Sequence, residues 1–210
     1  VSELLITPSL LAYHDWTRFA LLLQKLAMEP IDGLHVDVMD GHFVSNLAFG
    51  PDLVRSISKH TKHPLDFHLM INCLDALLPR YITLNPRSIF FHPEACTDIE
   101  KIIESIKTAN IQVGFAIHPD YDISKTKPFW RALDRLLIMT VYPGFSGQTM
   151  IQAHLEKVKW VKKHGFQGLC FVDGGVTHDN FPLLTQYLVD GVVMGKSYFS
   201  TVERTLYELQ

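Results

Sequence analysis

Two short stretches carry side chains that bind metals or move protons, His35-Val-Asp-Val-Met39 and Asp66-Phe-His-Leu-Met70. Successive side chains of an extended strand alternate sides, so His35, Asp37 and Met39 share one face while Val36 and Val38 share the other. Asp66, His68 and Met70 share a face in the same way. An imidazole, a carboxylate and a thioether turned to one interior make a poor apolar core and a good metal or acid–base site. Asp173, in Val172-Asp-Gly-Gly175, adds a further carboxylate. A lone strand histidine ordinarily serves a backbone carbonyl, and an aspartate before Gly-Gly ordinarily caps the turn. Two histidines and two aspartates from three strands read instead as a ligand set. His35, Asp37, His68 and Asp173 are therefore expected to hold one divalent ion, and such donors suit zinc, iron(II), manganese or cobalt.

The same aspartates suit proton transfer. Carboxylates on the two sides of a flat substrate can remove a proton from one face of a carbon acid and return one to the other, which inverts the carbon. Three glycine-bearing loops offer backbone N–H groups to a phosphate: Tyr142–Gln148 with Gly144, Phe145, Ser146 and Gly147, Asp173–Gly175 with Gly174 and Gly175, and Met194–Ser197 with Gly195 and Lys196. Met39, Met70 and Met139 are expected to end their strands facing inward, as a soft, dry wall for a planar intermediate. His92-Pro-Glu94 and His118-Pro119 also fall at strand ends, with structural or supporting roles.

These groups need elements to position them. Short apolar runs predict strands over residues 4–8, 33–38, 65–70, 88–92, 112–117, 135–141, 168–172 and 191–194. Longer amphipathic runs predict helices over 16–28, 51–59, 74–84, 98–109, 123–133, 151–163, 178–187 and 199–209. Ile99, Ile102, Ile103 and Ile106, for example, recur at the spacing of one helix face. Eight alternating units demand a parallel sheet and close most economically into an α/β (β/α)8 TIM barrel. An open doubly wound sheet would need a glycine-rich turn after the first strand, where Pro8-Ser-Leu-Leu11 stands. Residues 1–210 show no linker or repeat and read as a single barrel domain. The candidate residues fall at strand C-termini, the end at which barrels carry function.

Composition narrows the partners. A net charge of −3 argues against nucleic acid, and no apolar run reaches the roughly 20 residues that a membrane span requires. Cys73, Cys96 and Cys170 lack metal-finger spacing and read as reduced thiols. With no basic-then-apolar segment at the start of the chain, the expected location is cytoplasmic.

The motifs together resemble the ribulose-phosphate 3-epimerase family along nearly the whole chain. Its Ser-x-Leu appears as Ser9-Leu-Leu11, and its His-Val-Asp-Val-Met-Asp-Gly-His-Phe-Val-Pro-Asn as His35–Asn46 with Ser45 in place of proline. Its Asp-x-His-Leu-Met is Asp66–Met70, and its His-x-Glu-Ala is His92–Ala95. Met139–Gln148 and Val172–Gly175 match its later glycine motifs. The resemblance implies a metal-dependent enzyme that inverts C3 of a phosphorylated ketose, D-ribulose 5-phosphate first, through a 2,3-enediolate. It implies Asp37 and Asp173 as the proton-transfer pair, both also metal ligands with His35 and His68. Ser9 and His68 would contact the sugar, Met39, Met70 and Met139 the intermediate, and the glycine loops the phosphate. A homo-oligomer, dimer or hexamer, is also implied.

The departures lie away from the acid–base pair. Lys196 replaces the family's phosphate-contacting serine and is expected to bind the phosphate as a point charge. Tyr142, Ser146-Gly147, His118-Pro-Asp-Tyr121 and Asn85-Pro-Arg87 also differ from the usual residues. This drift leaves open a paralogue acting on another ketose phosphate, such as D-allulose 6-phosphate. A catalytically idle sugar-phosphate-binding regulator is the alternative of a different class.

Overall fold

Runs rich in Val, Ile and Phe form the strands that their alternation demands. In the computed structural model, which describes residues 4–207, these are β1 (Leu5–Pro8), β2 (Leu34–Asp40), β3 (Leu47–Ala48), β4 (Leu65–Met70), β5 (Ser88–Phe91), β6 (Gln112–Ile117), β7 (Arg135–Met139), β8 (Leu169–Asp173) and β9 (Gly191–Met194). All pairings are parallel except that of β3, which lies antiparallel on the end of β2. The sheet runs in the order β1-β9-β8-β7-β6-β5-β4-β2, and a parallel bridge from Ser9 to His35 joins β1 to β2. The sheet thus closes into the expected (β/α)8 barrel.

The helices among the described residues are α1 (Phe19–Leu26), α2 (Pro51–His60), α3 (Leu74–Ile82), α4 (Ile99–Thr108), α5 (Glu156–Lys163), α6 (Phe181–Gln186) and α7 (Lys196–Tyr207). In α4 the buried stripe is Ile102, Ile103 and Ile106, and Asp98 caps the first turn by accepting from Lys101 N at 3.0 Å. Between β6 and β7 the expected α-helix over 123–133 is instead a 3-10 helix over Ile123–Phe129. Pro128 lies inside that segment and has no N–H to donate to an α-helical ladder. At the other end of the chain, α7 begins three residues before the predicted 199, so Lys196 opens the helix. The last two residues predicted helical, 208 and 209, lie outside the described residues.

Two apolar regions hold the barrel together. Val36 and Val38 turn outward into the layer between sheet and helices, with Leu22, Val54 and Ile102. Inside the barrel, Phe90, Ala116, Leu137, Phe171 and Val193 pack as a second, separate cluster. Large and small residues alternate between neighbouring strands: Phe90 is in register with Gly114, and Phe171 with Gly191. A Cβ at either glycine would collide with the neighbouring ring. Below this layer, at the strands' N-terminal end, Asp66 faces inward as alternation requires but serves an ion cluster. It accepts from Ser88 Oγ at 2.6 Å and from Arg87 Nε at 2.9 Å, with Arg135 Nη1 at 3.6 Å.

Candidate active site

At the opposite end, β2 and β4 place Asp37 beside His68 in register, and Met39 beside Met70. Across the mouth, β8 ends at Asp173, in register with Met139. One ligand atom from each of His35, Asp37, His68 and Asp173 can be chosen so that all four lie within 4.8 Å of one another. His68 Nδ1 is 3.0 Å from Asp37 Oδ1 and 3.9 Å from Asp173 Oδ2. His35 Nε2 is 3.3 Å from Asp37 Oδ1 but misaligned for a hydrogen bond, and both ring nitrogens of this buried histidine lack a hydrogen-bond partner. Buried polar atoms ordinarily have partners. One unpartnered nitrogen of His35 together with His68 Nδ1, beside two carboxylates, fits a cation-binding set, with mixed nitrogen and oxygen donors of the kind that hold zinc or iron(II).

Electrostatics divides the two carboxyl groups. Burial would push Asp37 up, but His35 and His68 outweigh burial and hold it well below the usual carboxylate range. Asp173 is pushed up to about 7 by burial and by the charge of Asp37, against the pull of His35. Burial takes His68 down to about 4, whereas His35 is raised because its acidic neighbours overcome burial. Without a metal, Asp37 is the anion at neutral pH, whereas Asp173 gains and loses its proton near neutrality. Paired groups with pKa values driven apart are the usual mark of an acid and a base.

Other expected residues gather less uniformly. Ser9 Oγ, expected to contact the sugar, donates to Asp37 Oδ2 at 2.5 Å. A cavity of about 420 Å³ begins at Ser9, Asp37 and Asp173 and extends past Ser146, Gly147, Gly174, Gly175, Gly195 and Lys196. Gly174 and Gly175 have φ of +120° and +65°, and a Cβ on Gly175 would collide with the backbone of Met150. Only glycine suits that turn. Gly144 and Phe145 lie outside this cavity. Gly144 O accepts from Asn46 Nδ2 at 2.8 Å, and the half-exposed ring of Phe145 lines a neighbouring groove with Trp16 and Leu47. Met39 and Met70 pack with Val44 above the barrel, while Met139 belongs to the inner aromatic cluster.

Sequence reasoning did not single out Thr177 or Ser200, which also line the cavity, as does Ser197, the last residue of the third glycine-bearing loop. Lone hydroxyl residues carry no pattern; only the turn into α7 brings Ser200 there. His92 was expected at a strand end in a structural or supporting role, but which residue it meets was not legible. Its Nε2 lies 2.9 Å from His68 Nε2, and its only signal was a His-x-Glu pattern at a strand end.

Fold and site define a TIM-barrel protein with a buried two-histidine, two-aspartate cluster at its C-terminal mouth. Solved structures alike in fold include tryptophan synthase subunit alpha from Campylobacter jejuni, at 18% identity and TM-score 0.61, covering 92% of this chain and 87% of that one. The tryptophan synthase complex from Pyrococcus furiosus gives 13% identity and TM-score 0.69 over 95% and 90%. At such identities the likeness concerns fold alone.

Sequence comparison goes further. The profile of the Ribulose-phosphate 3 epimerase family matches residues 5–199. Ribulose-phosphate 3-epimerase from Bacillus subtilis (strain 168) is 32% identical over 204 residues, 95% of this chain and 94% of that protein. The enzyme of the same name from Mycobacterium tuberculosis (strain ATCC 25618 / H37Rv) is 36% identical over 199 residues, 93% and 86%. The chain belongs to the ribulose-phosphate 3-epimerase family, enzymes of the isomerase class.

Proposed function

We propose that this protein inverts C3 of a phosphorylated ketose, converting D-ribulose 5-phosphate to D-xylulose 5-phosphate, with Asp37 and Asp173 as its two proton carriers. The observation that carries this reading is the convergence of Asp37 and Asp173 with His35 and His68, one ligand atom of each within 4.8 Å of the others, at the end of one cavity that Asp37 and Asp173 both line. Asp37, held as the anion, takes the C3 proton from one face. Asp173, holding its proton, delivers to the other. Return from the opposite face inverts the carbon without a redox cofactor.

His35, Asp37, His68 and Asp173 would hold the divalent ion, zinc, iron(II), manganese or cobalt. When bound, it supplies Lewis-acid neutralisation of the negative charge that a 2,3-enediolate develops. Ser9 steadies Asp37 and meets the sugar beside it. Backbone N–H groups of Gly147, Gly174, Gly175 and Gly195, with the first turn of α7, take the phosphate at the far end of the cavity. Lys196, opening that helix and lining the same cavity, adds a full positive charge. Gly144, Phe145 and Ser146 form the neighbouring rim. Met39, Met70 and Met139 surround the reacting carbons with polarisable apolar surface.

The test is a panel of ketose phosphates, D-allulose 6-phosphate included, given to protein reconstituted with each of the four metals. Epimerisation of D-ribulose 5-phosphate with the highest kcat/KM supports the reading. Preference for a longer sugar moves the substrate, and binding without turnover overturns the assignment.

A further inference from the structure

The hydrogen bond between His68 and His92 carries a constraint that reaches the surface. His68 turns Nδ1 to Asp37 and Asp173, while its Nε2 faces His92 Nε2 at 2.9 Å. A neutral imidazole has one N–H and one lone pair, so two facing nitrogens bond only when one brings the proton and the other accepts it. A ligand nitrogen needs its lone pair. If Nδ1 of His68 is that nitrogen, the ring's proton sits on Nε2 and is donated to His92. His92 must then keep its own proton on Nδ1. That atom has no hydrogen-bond partner, and Glu94 Oε1 lies 3.4 Å away, the acceptor that the chain of donations requires. Both rings are fully buried, and the ring of His92 packs on Phe43 with centroids 4.6 Å apart. A second buried imidazole there, rather than a plain aromatic ring, has a physical reason if it orders protons.

We propose that His92 and Glu94 are positioning residues which fix the tautomer of His68, keeping Nδ1 free as a ligand atom. The inference rests on the metal-centre reading above. Carboxylates and other partners behind a ligand histidine raise its basicity and hold its ring in place, and losing them typically weakens metal binding by about 10- to 100-fold.

Zinc affinity is measured by competition with a chromophoric chelator on metal-stripped protein. His92→Phe, which keeps the ring and its contact with Phe43, should bind zinc about 10- to 100-fold more weakly. His92→Gln, whose amide oxygen can accept from His68 Nε2, should recover part of that loss. Long-range proton–nitrogen spectra of the zinc-loaded wild type should show His92 protonated on Nδ1. Wild-type affinity in a folded His92→Phe variant, or a proton on His92 Nε2 in the loaded protein, overturns the proposal while leaving the metal centre standing. If His92→Phe does not fold, undiminished affinity in Glu94→Leu overturns it instead. Failure of the wild type to bind zinc removes the centre and the proposal together.

Discussion

Ser9, His35 and His68 crowd around Asp37, whereas Asp173 has His68 Nδ1 at 3.9 Å and is held mainly by burial. The difference predicts a pH dependence for the metal-free protein. Asp173 rises from the ordinary 3.8 to about 7, so its contribution to stability is complete below pH 3.8 and disappears as pH climbs to 7. His68 falls from 6.5 to about 4, so its contribution is complete above pH 6.5 and disappears as pH drops to 4. The two oppose each other between those limits. His35, raised above 6.5, loses its contribution only on the alkaline side. Urea midpoints of metal-free protein should therefore fall as pH rises from about 6.5 to about 8, less steeply in Asp173→Asn. In activity, Asp37→Asn and Asp173→Asn should each lower kcat by at least about 100-fold with the fold retained, since the proposed reaction asks each to carry a proton. Near-normal turnover in either variant would sink the two-carboxylate mechanism. The four candidate ligands were legible because a period of two, read from the sequence alone, turns them inward. The bond from Ser9 to Asp37 was not, because it joins strands 28 residues apart.

Elements were legible wherever packing sets the period. The isoleucine stripe of α4 and the Val36/Val38 face follow directly from burial on one side. Three predicted helices instead start as 3-10 turns, over Trp16–Arg18, Gln152–Leu155 and His178–Asn180, because hydrogen bonding at helix ends leaves little trace in apolar spacing. Strand β3 escaped notice for a related reason: its two residues are too few to alternate. Connections can also be held by a single side chain. Lys157, on α5, donates from Nζ to the carbonyl oxygens of His118, Pro119 and Tyr121 at 3.0, 2.6 and 3.0 Å, pinning the loop after β6. Lys157→Met should cost about 1–3 kcal/mol in denaturant unfolding, because three acceptors lose one charged donor. Gly114→Val should cost a similar ~1–3 kcal/mol or fail to fold, since its side chain would need the space of the Phe90 ring. A stability unchanged in Gly114→Val would mean that the ring has room to move.

Taken whole, the barrel separates its two polar ends. The mouth holds the candidate centre; the other end holds Asp66 among Arg87, Ser88 and Arg135, with the Arg135 guanidinium also over the Phe171 ring at 5.1 Å. Asp66→Asn strips a buried arginine of its charge partner and should cost about 3 kcal/mol, read from urea unfolding, with kcat/KM of the folded fraction kept within about twofold. A large loss of kcat/KM at unchanged stability would tie the two ends together. The sequence alone placed Asp66 on the same face as His68, but distinguishing them required the distance along the strand and the two arginines that other segments bring in. Between the ends, Phe90, Leu137, Phe171 and Val193 stopper the bore, so hydrogen isotopes reach the two carboxyl groups by the mouth, which the proposed sugar substrate would cover. A proton lifted from carbon then stays with its carrier until product departs, and the hydrogen delivered to the other face is one acquired before binding. In heavy water the product should carry deuterium at the inverted carbon, while substrate recovered early from the same mixture should carry little. Equal labelling of the two would mean that the stopper leaks or that a single carrier serves both faces.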